Sequence, residues 1–347
     1  MVDAVKLPFG GLPTARISGF VCLSVLLATG CGTVVPHSTT TGSGGASAGS
    51  TNIATGAQLG LVWSAADSTL RPLSGVPGST QLGAALFPSG TYVAGSFSAQ
   101  TETALLIDAK GNLQWMVLPS LTPQTIAQGI PSGASISFSP KGGNAVVFAP
   151  GTASLLTISG LPQQALVTPI TAGNRVVSAA ISDAASLLLA TGAGNNSFAV
   201  TDTTSSGTRT TLATLGGFGG MTFLAGTEDI LLSDSVANTL SRFHNGSATV
   251  LATHANGLNQ PFAVAASQDD HWAVSADRAD TNLLRIDLTG ATAPAQATCS
   301  CTPSLLFALN GNAVFELSPP GNAPGWMIEA DDPVSRVLFI PPARGGQ

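Results

Sequence analysis

Short apolar runs alternate with tight polar turns along most of the chain, and the runs come in pairs. Ala84–Phe87 is followed by the turn Pro88-Ser89-Gly90 and by Thr91–Ala94. Ile136–Phe138 leads through Ser139–Gly143 to Ala145–Phe148, and Ala179–Ile181 through Ser182–Ala184 to Leu187–Leu189. The unit returns as Met221–Phe223 with Ile230–Leu232, Val264–Ala266 with Trp272–Val274, and Leu306–Ala308 with Ala313–Phe315. The residues ending each first run, Phe87, Phe138, Ile181, Phe223, Ala266 and Ala308, stand 51, 43, 42, 43 and 42 residues apart. Third strands are predicted at 103–108, 154–159, 197–202, 239–244, 282–288 and 325–330. Fourth strands follow at 113–118, 165–170, 208–214, 248–253, 294–299 and 336–341. Four short strands in about 42 residues is the repeat of a β-propeller blade and leaves little room for helix.

The expected fold is therefore all-β, a propeller of four-stranded blades. A single blade cannot cover both of its apolar faces, so copies stack in a ring until none is left bare. Strands nearest the axis are buried on both faces and should read as small and apolar without alternation, as Phe262–Ala266 and Ala179–Ile181 do. Six units occupy 82–342. Leu61-Val62-Trp63 and Thr69–Leu73 form a further strand pair, which favours seven blades and leaves six as the alternative.

Composition narrows the class. With 44% hydrophobic residues and only 9% charged, most of the chain can bury a core. Twelve Lys+Arg against eighteen Asp+Glu offer no basic surface for phosphates, so no nucleic-acid partner is expected. One apolar run, Ile17–Ala28, lies behind Lys6 and Arg16 and ahead of Thr29-Gly30-Cys31-Gly32. That order is the one found in a secretory signal peptide, and the run is shorter than the roughly 20 residues a membrane span needs. From Thr33 to Thr55 the chain is mostly Gly, Ser, Thr and Ala. Such a segment buries no core and behaves as a flexible tether with a reach of roughly 25–30 Å. Its Gly45-Ala46-Ser47-Ala48-Gly49 matches the G-x-S-x-G pattern, but a nucleophile elbow needs a strand before it and a helix after it, and a tether supplies neither.

Leu27-Ala28-Thr29-Gly30-Cys31 resembles the lipobox of bacterial lipoproteins, with Ala28 standing three positions before the cysteine where that family prefers Leu. The resemblance implies cleavage after Gly30 and lipidation of Cys31. Gly32 in place of Asp implies sorting to the outer membrane. The divisions expected are a signal peptide at 1–30, the lipidated cysteine and tether at 31–56, and the propeller at 57–347. Loss of Lys6, Arg16 and Asp3 leaves ten basic and seventeen acidic residues, a net charge of −7. Such a body is not drawn to anionic lipid, so the only membrane attachment expected is the lipid anchor.

The turn Phe138-Ser139-Pro140-Lys141-Gly142 is similar to the S-P-D-G turn of bacterial lactonase-like propellers. Ser233-Asp234-Ser235 with Asn238–Leu240, and Ala276-Asp277 with Asn282–Leu284, resemble the second-to-third-strand hairpin of NHL-type propellers. The resemblance implies the fold and admits both enzymes and binding proteins. Asp234, Asp277 and Asp280 fall in equivalent hairpins at one end of the ring. They are the metal candidates, with calcium as the ion, and the competing reading is that each carboxylate binds its own turn. His244, His254 and His271 match no zinc spacing. Cys299-Ser300-Cys301 permits a disulfide in an exported protein, while Cys22 leaves with the signal. No convergent nucleophile, base and metal-ligand set is evident. The expected function is a monomeric, envelope-anchored binding or scaffold module for a protein or small-molecule ligand. The alternative is an exported lactonase- or lyase-like enzyme with its site at the ring mouth.

Overall fold

The computed structural model describes residues 58–64, 66–331 and 334–342. The expected signal peptide, the tether and Cys31 lie outside these. The described residues form seven antiparallel sheets arranged as a seven-bladed β-propeller. In each blade the chain runs outward from the axis, strand by strand.

Blade 1 has three strands, Gln58–Ser64, Thr69–Val76 and Ser79–Leu82, and the other six blades have four. Blade 2 comprises Tyr92–Ser98, Thr103–Asp108, Leu113–Val117 and Gln124–Ala127, and blade 3 Ser135–Phe138, Asn144–Phe148, Ser154–Ser159 and Leu166–Thr171. Blade 4 comprises Val176–Ile181, Leu187–Gly194, Ser197–Thr203 and Arg209–Leu215, and blade 5 Phe218–Phe223, Ile230–Asp234, Thr239–His244 and Ser247–Ala252. Blade 6 comprises Pro261–Ala266, Trp272–Asp277, Asn282–Asp287 and Ala295–Thr298. Blade 7 comprises Phe307–Ala308, Val314–Ser318, Gly325–Glu329 and Arg336–Ile340. One helical turn, His254–Asn256, stands among the described residues.

The strand quartets read from the repeat hold for blades 3 to 7. Blade 2 departs from its predicted register by one strand. Ala84–Phe87 is not a strand, and the run beginning at Thr91 becomes the inner strand rather than the second. The predicted third and fourth strands are then second and third, and Gln124–Ala127 supplies the outer one. The reason lies in hydrogen bonding. Gly83 N and Leu86 N donate to the carbonyls of Pro72 and Leu70, so this segment travels back to the axis along blade 1. Pro88 then has no N–H to continue a ladder. With the register corrected, the inner strands of blades 2 to 7 end at Ser98, Phe138, Ile181, Phe223, Ala266 and Ala308, in steps of 40, 43, 42, 43 and 42 residues. The odd step of 51 arose from Phe87.

Burial follows the ring. Seven apolar clusters occupy the seven gaps between neighbouring blades. One gathers Leu61, Leu70, Phe97 and Leu106 between blades 1 and 2. Another gathers Ala180, Leu188, Phe223 and Leu232 between blades 4 and 5. The cluster that closes the circle joins Leu59, Val62 and Leu73 to Val314, Met327 and Ile340. There Asn310 also donates from its backbone N to the Leu59 carbonyl at 2.7 Å and from Nδ2 to the Gln58 carbonyl at 3.0 Å.

Close approach near the axis demands small residues. A Cβ on Gly220, whose φ is +140°, would sit 2.9 Å from Cα of Ala263 in the next blade, and one on Gly219 would sit 2.6 Å from the Pro261 carbonyl oxygen. Neither position accommodates a side chain, so the two glycines let the inner strands of blades 5 and 6 converge.

Phe223 is 1% exposed, whereas Phe339 on the outermost strand is 58% exposed. Phe223→Ala is expected to lower unfolding stability by about 3–5 kcal/mol, seen as a lower urea midpoint. Phe339→Ala should change it by less than about 1 kcal/mol, and equal losses would contradict the inter-blade placement of the core.

Candidate functional site

Gln58–Ser64 of blade 1 runs oppositely to the inner strands of blades 2 to 7, its start bonded to Asn310 on the face where they end. Those six strands point the same way, so their ends form one face of the ring. Each is followed there by a polar turn, and the turns grip one another across blade boundaries. Asp183 of blade 4 accepts from Lys141 N of blade 3 and from Gly226 N of blade 5, both at 2.8 Å. Asp270 of blade 6 accepts from Ala225 N of blade 5 at 2.8 Å. Asn144 donates from Nδ2 to the carbonyls of Ser182 and Asp183, both at 3.0 Å. Asp269 accepts from Asn312 Nδ2 of blade 7. Carboxylates binding backbone N–H groups of adjacent blades make the rim a linked collar, and charge-assisted bonds of this kind are the stronger class.

Inside the collar lies the axial channel, which contains two adjoining cavities. The mouth, about 200 Å³, is lined by inner-strand ends of blades 2, 3, 5, 6 and 7, with hydroxyls of Ser98, Ser137 and Thr222 and the carboxyl of Asp270. Burial raises the Asp270 carboxyl above the usual carboxylate range, and the nearby charges of Asp269 and Asp183 act in the same direction. A deeper chamber of about 390 Å³ lies between blades 1, 2, 3 and 7 and shares Phe97, Ile136, Leu306 and Phe307 with the mouth. Its lining side chains are mostly apolar, and backbone groups with Ser96 and Ser135 add polar surface. Gly95 makes room for the Trp63 ring, since a Cβ there would lie 2.8 Å from it. The chamber holds one carboxyl, Glu316, which is 4% exposed. Burial alone pushes it up to about 8.

The metal candidates from the sequence sit at the opposite face, where second strands end. Asp234 accepts from the backbone N–H groups of Gly216, Gly217, Val236 and Ala237. Asp277 accepts from Asn259 N at 2.9 Å, and Asp280 accepts from Asn259 Nδ2 at 2.9 Å. These contacts bind the turn between strands and the link from the preceding blade. Among the described residues no three His, Cys, Asp or Glu side chains form a metal-holding group. Burial raises Asp277 to about 7, with the neighbouring charge of Asp280 adding to it against the Asn259 hydrogen bond.

Cys299 and Cys301 are joined as a disulfide, buried in the cluster between blades 6 and 7. His254 lies in the single helical turn, its Nδ1 3.0 Å from the Leu258 carbonyl. His271 stacks on Trp272, ring centroids 4.4 Å apart. His244 is more than an exposed strand end: its Nδ1 lies 2.7 Å from Oδ1 of Asp229, whose Oδ2 accepts from Arg242 Nε at 3.0 Å. The sequence does not single out the collar carboxylates Asp183, Asp269 and Asp270, the Asp229 that pairs with His244, or the chamber carboxyl Glu316. A strict alignment of the repeats against one another is the signal that exposes Glu316.

No protein-family model and no curated protein sequence matches the chain. Solved structures with the same fold include the β-propeller domain of Cps50 (Swd1) from Myceliophteria thermophila, at TM-score 0.54 and 10% identity over 73% of this chain and 87% of that one. Virginiamycin B lyase from Staphylococcus aureus matches at TM-score 0.52 and 11% identity over 74% and 86%. A functionally unknown protein from Desulfotomaculum acetoxidans DSM 771 matches at TM-score 0.51 and 12% identity over 79% and 96%. At such identities the likeness extends to the propeller fold alone.

Asp277 binds its proton more readily in the folded chain than in the unfolded one, where its value is near 3.8. Its contribution to stability is therefore complete below pH 4 and is lost as pH rises through about 7. Asp277→Asn keeps an acceptor for Asn259 N but cannot ionise. The thermal midpoint of the wild type should fall relative to that of the variant between pH 4 and pH 8. A constant difference across that interval would contradict the assignment.

Proposed function

We propose that this chain is an envelope-anchored lipoprotein whose propeller is a binding or scaffold module, with the axial channel as its ligand site. The observation that carries the reading is the linked collar around the channel. Turns from successive blades are held by one another before any ligand arrives, and a site fixed in advance loses little conformational freedom on binding. The mouth offers hydroxyl groups from three blades above a chamber whose lining side chains are mostly apolar. That mixture of a few polar groups over apolar walls is what small-molecule sites present.

The anchor rests on Leu27–Cys31 and on the tether that follows. Several acyl chains on one cysteine, at about 0.8 kcal/mol per buried CH₂, hold a domain firmly at a bilayer, and the tether lets the ring stand off it. The outer membrane of a diderm cell is the proposed location, and a single copy the proposed state.

Two experiments test this. Metabolic labelling with palmitate should mark the wild-type chain in a bacterial host and leave Cys31→Ala unlabelled; equal labelling of both removes the anchor. Native mass spectrometry of the chain purified from envelope extract should find a co-purifying species. That species should be lost from Ala308→Trp, which fills the mouth, and its retention would move the site away from the axis.

A further inference from the structure

Blades 2 to 7 repeat one ladder position that departs from its pattern once. In each second strand, one residue pairs with the inner strand and turns its side chain toward the following blade. In blades 2 to 6 it is Leu105, Val146, Leu188, Leu231 and Val274, opposite Ser96, Ser137, Ala180, Thr222 and Ala265. All five are apolar and fully buried. In blade 7 the residue is Glu316, opposite Phe307. It is buried like its counterparts, and its Oε1 has no hydrogen-bond partner. A carboxyl buried without a partner is destabilising, and the fold demonstrates five times that an aliphatic residue fits there. A local rule broken at a cost inside a cavity marks a functional position.

The cavity supplies the context. Blade 7 has an inner strand of only two residues, Phe307–Ala308, so the second strand is less covered from the axis than elsewhere. Glu316 therefore lines the deeper chamber, together with Trp63 and Leu70 of blade 1 and Phe97 of blade 2. None of the other side chains lining it, from blades 1, 2, 3 and 7, is titratable. Among the described residues the carboxyl thus has neither donor nor counter-charge. We propose that the chamber binds a small apolar amine, whose ammonium donates to Glu316 while its hydrocarbon part lies among Trp63, Phe97 and Phe307. An ammonium provides what the site lacks, both N–H donors and a positive charge. The aromatic walls favour a cation as well.

The inference deepens the reading of the channel as a ligand site and rests on it. Binding an ammonium requires the carboxylate, so the complex forms with release of one proton from Glu316. Amine affinity should then rise as pH rises toward about 8, where the free carboxyl titrates. The gain between pH 6 and pH 8 should be roughly 50-fold.

Isothermal titration of the full chain with 2-phenylethylamine, and with 2-phenylethanol as its uncharged counterpart, provides the test. The amine should bind at least about tenfold more tightly than the alcohol at pH 8. Glu316→Gln should remove both that preference and the pH dependence. Glu316→Leu, which gives blade 7 the residue type of blades 2 to 6, should abolish amine binding while raising the thermal midpoint by about 2–4 °C. Amine binding that is flat with pH and unchanged in Glu316→Gln overturns the proposal but leaves a ligand site in the channel. A lower midpoint for Glu316→Leu also overturns it, because the carboxyl would then have a partner within the protein. Failure of both probes to bind, with no co-purifying species on the wild type, overturns the proposal and the channel reading together.

Discussion

Every blade of this protein is a sheet with two apolar faces, and the structure depends on covering both at once. Water must be excluded from each gap between neighbours, and a linear stack would leave two gaps unfilled at its ends. Closure of blade 7 onto blade 1 resolves this with the same means used elsewhere in the ring, an apolar cluster at the interface. The burial is shared among seven comparable clusters rather than concentrated in one core. Most polar residues are thereby confined to turns, to the axis and to the outer strands.

That confinement explains where the chemistry is. On the face where inner strands end, turns of adjacent blades lie close enough for a carboxylate in one to bind backbone N–H groups in the next. Asp183 touches the turns of both its neighbours. Asp270 and Asp269 continue the belt toward blade 7. On the opposite face Asp234 and Asp277 bind the links between blades. Most acidic side chains in these turns thus have architectural partners, and Glu316, within a strand, stands apart because it has none among the described residues. The burden of a buried carboxyl falls on a ring in which blades 2 to 6 are apolar at the same position. A single such site is tolerable where several would not be.

Periodicity made most of the architecture legible in the sequence. Regular steps between Phe138 and Ala308 fixed five blades strand by strand, because a strand quartet of constant length returns the chain to the same place in each sheet. Blade 2 was misaligned because Ala84–Phe87 followed by Pro88-Ser89-Gly90 has the local look of a hairpin. Its backbone donors instead reach the carbonyls of blade 1, a partner choice made at a distance. The candidate site was less legible. Asp234 and Asp277 attracted notice as acids in turns, yet an acid in a turn most often binds that turn. Glu316 in the run Ala313–Leu317 reads as an interruption of an apolar strand, and only its alignment with Val274 and Leu231 gives it meaning.

The sequence by itself determined the strand content, the repeat and the turn positions, since these depend on hydrophobic spacing and on residues such as Gly, Pro and Asp acting within a few positions of themselves. It carried also the order of charge, apolar run and cysteine at the N-terminus. The tertiary structure alone decided the number of blades, the strand in which each begins, the pairing of His244 with Asp229, and the isolation of Glu316. Each of those depends on which groups from distant parts of the chain come within hydrogen-bond or van der Waals reach. Closing the ring brings such groups together across up to 252 positions of sequence, as between Gln58 and Asn310.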